Sequence, residues 1–228
     1  MQLAAHNFIV LKGARNAQQG EAAAKKQRQQ GFDVHFIPID VNDEQSIKKA
    51  AQTIVKQWGK IDVLINNAGV NYEFLSEIRP SALNVDILKD TFLTNVFGAF
   101  AVIHHFLPLL KQGKTTQIIN VSSTLGSLIS VSNPENIYYG VNTVAYNSSK
   151  TALNALTVSL AKDLLDEQIS VNLICLGWVK TDMGTNVAPR TVQQGATIIV
   201  KLATMDTPPT GKFLNEMEKL HGEQCLAA

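Results

Sequence analysis

Tyr146 and Lys150 are the two residues of this sequence best suited to proton chemistry, and they stand four positions apart in a stretch with helical character. Side chains with that spacing share one face of a helix. An ammonium close to a phenol favours the phenolate and lowers the phenol pKa from its usual value of about 10. Such a tyrosine can exchange a proton with a carbonyl or alcohol oxygen near neutral pH. Taken alone, the spacing is more typical of two surface neighbours, so the surrounding sequence must decide between the two interpretations.

Four further segments place polar or small residues where ordered elements should end or bend. Ser122 and Ser123 close an apolar run, residues 66–69 read Asn-Asn-Ala-Gly after another, and residues 177–181 follow a third. Asn95 lies inside a long apolar stretch, where a polar side chain needs hydrogen-bonding partners. Small residues after a strand let a flat ring or a ribose approach the backbone. These segments are candidates for one shared site.

The elements that must position these residues are short β-rich apolar runs alternating with helical stretches. The patterns predict strands at 8–11, 34–39, 61–65, 117–122, 171–176 and 212–214, and helices at 17–30, 43–58, 87–110, 146–166 and 191–203. Such alternation predicts βαβ units and a parallel sheet with helices on both faces. Right-handed crossovers place the carboxyl ends of the strands along one edge, where ligands bind in such sheets. All the polar segments fall at that edge.

Size and charge limit the possible classes of protein. The 228 residues suit a single domain, and a formal net charge of +1 gives no electrostatic reason to expect nucleic acid or an anionic membrane as a partner. No apolar run looks long enough to span a bilayer, and the brief apolar core at residues 8–11 does not indicate a secretion signal. Cys175 and Cys225 lack metal-site or disulfide spacing, and the adjacent His104 and His105 point different ways on a helix, so we expect no metal site. A reduced, cytoplasmic setting is favoured.

The four motifs, in this order and spacing, resemble those of the classical short-chain dehydrogenases/reductases, and within them the carbonyl-reductase-like members. The resemblance covers almost the whole chain. It implies a Rossmann-like doubly wound parallel sheet in one NAD(P)-binding domain over residues 1–228, with activity on a small carbonyl or alcohol substrate. It also implies a catalytic set consisting of Asn95, Ser123, Tyr146 and Lys150.

Each catalytic residue has a role implied by the resemblance. Tyr146 is the general acid in reduction, and Ser123 hydrogen-bonds the substrate oxygen and stabilises its growing charge. Lys150 lowers the Tyr146 pKa and binds the nicotinamide ribose. Asn95 sits at a bend in its helix and helps to hold a proton-relay water beside Lys150. Ser122 is expected only to support the turn.

Cofactor contacts are implied in the same way. The family positions that meet the adenine, its ribose, the nicotinamide ribose and the carboxamide correspond here to Asp40, Val41, Asn67, Ala68, Gly69, Tyr146, Lys150, Gly177, Val179 and Thr181. Arg15 indicates which cofactor is used. An acidic side chain after this strand would bind the ribose 2′-hydroxyl of NAD, whereas an arginine suits a 2′-phosphate. NADP is therefore favoured, and the alternative is that Arg15 is a solvated surface residue.

The sequence departs from the family pattern near residue 1. Family members start with a strand and a glycine-rich turn that cradles the pyrophosphate, whereas residues 2–6 here resemble the last turn of the following helix. No Gly-x-x-x-Gly-x-Gly segment occurs in the chain. The missing strand lies mid-sheet in the family, so we expect two unpaired strand edges, weak NADP binding and low stability.

Two smaller departures affect the loops. Leu176 replaces the usual proline before Gly177, which loosens that turn. The longer stretch 132–144 either caps the active site or covers the helix face by which many family members form homo-oligomers. Four residues could line an apolar substrate pocket or could equally be ordinary packing: Tyr138, Tyr139, Trp178 and Met183.

The sequence thus supports two functions of different classes. The first is an NADPH-dependent oxidoreductase that reduces an aldehyde or ketone to an alcohol. The alternative is a non-catalytic remnant of the same family that acts as a protein-interaction module through its open sheet edges. The intact catalytic set favours the enzyme, and the missing strand favours the module.

Overall fold

Parallel strands and helices alternate throughout the computed structural model, which describes residues 1–74, 76 and 78–215. Cys225 lies outside the described residues. The strands are β1 Val10–Ala14, β2 Val34–Pro38, β3 Val63–Asn66, β4 Thr116–Ser122, β5 Ile169–Cys175 and β6 Phe213–Leu214. The α-helices are α1 Gln2–Ala5, α2 Ala17–Arg28, α3 Glu44–Trp58, α4 Val85–Phe92, α5 Ala99–Leu110, α6 Leu128–Ser132, α7 Val144–Asp163 and α8 Val192–Ala203.

The strands form two parallel sheets. β1 pairs with β2, with Val10 opposite Val34, and a second sheet has the order β3-β4-β5-β6. The predicted parallel α/β fold is confirmed. Within the described residues, β1 and β3 each have a neighbour on one side only, which agrees with the two unpaired edges expected from the sequence.

Helices cover both faces of the sheet and bury its apolar side chains. On one face, Ile47 of α3 and Phe106 of α5 pack with Ile118 of β4. On the other face, Ile198 of α8 packs with Ile119. Ile118 and Ile119 are successive residues of β4, and successive side chains of a strand point to opposite faces. Both are fully buried, so β4 is a central strand of a three-layer structure.

Local sequence signals explain where several helices begin and end. The Asn16 side chain accepts a hydrogen bond from the backbone N–H of Gln19 and caps α2, as predicted. Asp43 caps α3 in the same manner, and Gly59 ends that helix in the left-handed conformation. Thr191 and Gln194 form a reciprocal capping box at α8. These caps fix the bounds of helices that contact the sheet.

The long helix predicted at residues 87–110 is interrupted. A π-helical segment, Leu93–Gly98, separates α4 from α5, and Pro108 lies inside α5. The continuous stretch Val85–Leu110 is long and apolar enough to cross a membrane by length and composition, with a mean hydropathy of 1.5, so the expectation that no run reaches this length was wrong. However, 56% of that window is buried within the protein, as in the core helix of a folded domain.

Candidate active site

The hydroxyl groups of Ser123 and Tyr146 meet at the carboxyl end of β4. Ser123 follows that strand directly and begins a short 3₁₀ turn, Thr124–Gly126, by accepting a hydrogen bond from the N–H of Leu125. The 3₁₀ turn packs against α7, which carries Tyr146 near its N-terminus. The Ser123 hydroxyl lies close enough to the Tyr146 phenol to lower its pKa. The structure therefore brings together two hydroxyl groups that could share one substrate oxygen.

Lys150 is buried one helical turn after Tyr146, with 4% of its surface exposed. Its Nζ donates a hydrogen bond of 2.8 Å to the carbonyl oxygen of Val121 and lies 5.6 Å from the centroid of the Tyr146 ring. Gly69 lies beside this ammonium, since a Cβ on that glycine would stand 3.6 Å from Nζ, in ordinary van der Waals contact. Tyr146, Lys150, Ser123 and the loop after β3 thus converge as predicted from the sequence.

The pKa of Tyr146 moves in the direction opposite to our sequence prediction. Burial of the phenol and, to a smaller extent, the neighbouring Cys175 raise its pKa to about 12, against an opposing effect of the Ser123 hydroxyl. Burial also lowers the pKa of Lys150 to about 8. The Lys150 ammonium directs its hydrogen bond to the Val121 carbonyl. The predicted lowering of the Tyr146 pKa by Lys150 was therefore wrong.

Asn95 lies in the π-helical segment that separates α4 from α5. Its side chain is 1% exposed and holds the loop after β3. Asn95 Oδ1 accepts from the N–H of Val70 at 2.8 Å, while Nδ2 donates to the carbonyl of Val70 at 2.9 Å and to Ser149 Oγ at 3.0 Å. Asn95 therefore joins the loop after β3 to α7. Its role in holding a relay water stays a prediction.

Ser122 and Ser123 face different surroundings. Ser122 Oγ donates to Asn154 Oδ1 at 2.6 Å, and the Asn154 amide group donates in turn to the carbonyl of Gly126. Ser122 therefore fastens the strand to α7, and Ser123 is the hydroxyl beside Tyr146.

The predicted cofactor residues near the adenine end follow β1 and β2. Arg15 comes directly after β1, is exposed, and makes no hydrogen bond or ion pair with any residue that the structure describes. Asp40 follows β2, where its carboxylate accepts from the N–H of Asn42. Val41 abuts the π-helical segment, since a Cβ on Gly98 would lie 2.8 Å from the Val41 carbonyl oxygen. These positions could receive the adenosine part of a dinucleotide.

The other predicted cofactor residues follow β3 and β5. Asn67 and Ala68 are exposed directly after β3. Gly177 has a φ of +73°, which glycine adopts without strain, and this turn leads into the loop that carries Val179 and Thr181. The loop is ordered by a bridge between Val179 and Arg190 and by the N–H of Gly184 donating to the Thr181 hydroxyl. These residues lie at the same sheet edge as Lys150.

An aromatic contact that the sequence did not predict joins two loops at this edge. The rings of Phe74 and Trp178 meet edge to face with their centroids 6.2 Å apart, and Trp178 Nε1 donates to the carbonyl of Gly184. Trp178 is 46% exposed, and Tyr139 and Met183 are also exposed. Their assignment to a substrate pocket stays a prediction. In the described part of the chain, no group of three His, Cys, Asp or Glu side chains could hold a metal ion.

This arrangement defines an α/β protein of the parallel-sheet class with a ligand site at the carboxyl ends of its strands. A sequence profile described as short chain dehydrogenase matches residues 1–192. The chain belongs to that family, as the motifs predicted. A relative in Penicillium roqueforti, the short-chain dehydrogenase anuI, is 32% identical over 220 residues, covering 93% of this chain and 86% of the relative.

Carbonyl reductases are among the similar proteins. Carbonyl reductase [NADPH] 1 of Mus musculus is 28% identical, and the match covers 91% of this chain and 86% of that protein. Among solved structures, NADPH-bound carbonyl reductase from chicken fatty liver has a TM-score of 0.78 at 26% identity, covering 90% of this chain and 84% of that one. Salutaridine reductase from Papaver somniferum has a TM-score of 0.80 at 27% identity, covering 93% and 92%.

Proposed function

We propose that this protein reduces an aldehyde or ketone to the corresponding alcohol with NADPH, and that Tyr146 is the general acid. The observation that carries the proposal is the convergence of the Ser123 hydroxyl, the Tyr146 phenol and the buried ammonium of Lys150 at the carboxyl end of β4. The similarity to NADPH-dependent carbonyl reductases supports the same substrate class. NADPH, when bound, supplies the hydride that reaches the carbonyl carbon.

The residues of this chain supply the proton and stabilise the developing charge. Ser123 donates a hydrogen bond to the carbonyl oxygen, and this bond strengthens as negative charge grows there. Tyr146 then gives its phenolic proton to that oxygen. A pKa of about 12 keeps the phenol protonated at neutral pH, as a general acid requires. The Lys150 ammonium lies 5.6 Å from the centroid of the Tyr146 ring, where it would hold the nicotinamide ribose beside the reacting groups.

The described residues fit NADP at both ends of the molecule. Arg15 presents a guanidinium without a described partner directly after β1, which suits a 2′-phosphate. At the other end, Lys150 lies beside Gly69 and would hold the nicotinamide ribose. Val179 and Thr181 would hold the carboxamide. The weak affinity for NADPH expected from the sequence stays a prediction.

A protein-interaction module is the second candidate function. The observation that favours it is the pair of strands, β1 and β3, each with one neighbour in the described part of the chain, because an unpaired edge can accept another strand. Titration with NADPH separates the two functions. A cofactor binder gains thermal stability in proportion to the logarithm of ligand concentration, whereas a module without a cofactor site gains none.

The direct test of the reductase is NADPH consumption with a panel of aromatic and aliphatic aldehydes and ketones, followed by fluorescence titration of NADPH. We expect NADPH to be oxidised and NADH to be a poorer donor. Absence of turnover with every member of the panel, together with absence of NADPH binding, would contradict the proposal. Tight NADPH binding would contradict the expected weak affinity alone.

Two further expectations concern the setting of the enzyme. A cytoplasmic location and the absence of nucleic-acid and membrane partners stay predictions. A homo-oligomer also stays a prediction, and the exposed apolar side chains of Leu93, Phe97 and Phe100 around the π-helical segment agree with it. Sedimentation analysis of the purified chain would test the oligomeric state.

A further inference from the structure

Helix α7 carries Tyr146 and Lys150, but no side chain of its own N-cap residue caps it. The first intrahelical hydrogen bond runs from the N–H of Asn147 to the carbonyl of Thr143, so the N–H of Tyr146 has no acceptor within the helix. Thr143, at the N-cap position, makes no capping hydrogen bond, because its hydroxyl donates to Asn147 Oδ1 instead. The first turn also contains no acidic residue.

A carboxylate from a loop distant in sequence accepts the hydrogen bond from the free N–H at the start of α7. Glu73, 73 positions earlier in the chain, accepts a hydrogen bond of 3.0 Å from the N–H of Tyr146 through Oε2. The side chain is 5% exposed, which is rare for a glutamate unless its charge is compensated. Here the positive end of the α7 dipole and an N–H donor provide that compensation.

Glu73 itself is held by the loop that follows β3. Its N–H donates to Asn71 Oδ1 at 3.1 Å, and Val70, next to Asn71, is fixed through both its N–H and its carbonyl by Asn95. The carboxylate therefore reaches Tyr146 from the loop that also carries Gly69, beside Lys150. The loop and the catalytic helix are joined at Tyr146.

The backbone carbonyl of Tyr146 is also connected to Asn95, in this case through Ser149. Ser149 Oγ donates to that carbonyl at 2.7 Å and accepts from Asn95 Nδ2 at 3.0 Å. Both backbone polar groups of Tyr146 are thus fixed by contacts that lead back to Asn95, one through Glu73 and one through Ser149. These hydrogen bonds together restrain the backbone of Tyr146, from which the phenol projects toward Ser123.

We propose that Glu73 is a positioning residue for Tyr146: its carboxylate caps α7 from the loop after β3 and fixes where the phenol stands relative to Ser123. The expected effect of Glu73 on kcat rests on the proposed reductase function, whereas its contact with Tyr146 does not. Glu73 touches the backbone of Tyr146 and no reacting atom.

The contact can be tested without any assay of activity. Glu73→Met keeps the length of the side chain and removes the acceptor, while Glu73→Gln keeps an acceptor oxygen and removes the charge. The matched control is Glu135→Gln, at an exposed glutamate in a neighbouring loop. We expect amide hydrogen exchange at Tyr146 to be at least about tenfold faster in Glu73→Met, because the capped N–H is freed, and to stay within about threefold of wild type in the other two variants. Unchanged exchange in Glu73→Met would overturn the proposal.

The kinetic part separates positioning from mere stabilisation. In Glu73→Met we expect kcat to fall by about tenfold or more while the KM for NADPH stays within about twofold, because a misplaced acid affects the chemical step and leaves cofactor contacts intact. Glu73→Gln should recover kcat to within about threefold of wild type. If the Met variant does not fold, Glu73→Ala replaces it in both measurements.

The outcomes distinguish this inference from the proposed function. If the wild-type protein reduces no carbonyl compound, both the proposed reductase function and the positioning role of Glu73 are contradicted. If the wild-type protein is active and the folded Glu73→Met variant is equally active, only the positioning role is contradicted. Failure of Glu73→Gln to recover kcat also overturns it, since the acceptor oxygen would then not be the feature that matters.

Discussion

The ammonium of Lys150 is hydrogen-bonded to the carbonyl of Val121, across 2.8 Å at the end of β4, and it is buried there without a described carboxylate partner. A buried ammonium with one neutral acceptor costs stability, because its lost hydration is only partly replaced. Lys150 is therefore retained at an energetic cost, which is typical of residues that serve a function. The cost can be measured.

Replacing Lys150 by methionine should stabilise the protein at neutral pH. The lowered pKa of about 8 against 10.5 corresponds to a cost of about 3 kcal/mol for the buried ammonium, offset by about 1 kcal/mol when the Val121 carbonyl loses its partner. We expect a gain of about 2 kcal/mol in the free energy of unfolding, measured by chemical denaturation.

The pH dependence of this gain has a defined sign. Between pH 8 and 10.5 the unfolded wild-type chain holds a proton on Lys150 that the folded protein has lost, so wild-type stability rises with pH in that window. Methionine cannot titrate, and the advantage of Lys150→Met should shrink as pH rises through the window. A variant that is less stable than wild type at neutral pH would contradict this account of the ammonium.

Arg15 should determine the preference for NADPH over NADH. Arg15→Ala removes a charge-assisted hydrogen bond to the 2′-phosphate, so we expect the Kd for NADPH to rise by about 10- to 100-fold and the Kd for NADH to stay unchanged. Arg79→Ala, at another exposed arginine, is the matched control. Equal weakening of both cofactors, measured by fluorescence titration, would show that Arg15 does not contact the phosphate.

Gly126 allows the turn after Ser123 to pack directly on α7. A Cβ at this position would stand 2.8 Å from the carbonyl carbon of Lys150 and 2.9 Å from its Cβ. We expect Gly126→Ala to lower the free energy of unfolding by about 1–3 kcal/mol and to reduce activity, because the helix must move. Gly140→Ala is the control, since nothing lies within 4 Å of its added Cβ. Equal thermal stability of the two variants would contradict the close packing.

Sequence patterns predicted helices and strands well where the apolar side chains of the segment itself determine its structure. The periodic apolar face of α3, from Ile47 to Ile54, gave nearly the observed helix. For β1 the predicted strand at 8–11 differs from the observed Val10–Ala14, because Lys12, Gly13 and Ala14 are not an apolar run. They are extended because their backbone pairs with β2, and a pairing between strands is not visible in the residues of one strand.

The sequence predicted which residues form the candidate site better than it predicted their contacts. The placement of Ser123, Tyr146 and Lys150 follows from motif and topology. Asn95, in the π-helical segment, bonds to Val70, and α7 is capped by Glu73, so both contacts join residues distant in sequence. The pKa of Tyr146 was predicted in the wrong direction because spacing on a helix does not reveal burial or the direction of the Lys150 hydrogen bond.

The most direct measurement is NADPH-dependent carbonyl reduction by wild type and by Tyr146→Phe, with Tyr139→Phe, at an exposed tyrosine, as the control. Because the general acid is lost, we expect kcat/KM to fall by about 10²- to 10⁴-fold in Tyr146→Phe, far more than any loss of NADPH affinity, and the control to be as active as wild type. Reduction by Tyr146→Phe at the wild-type rate would contradict the proposed mechanism.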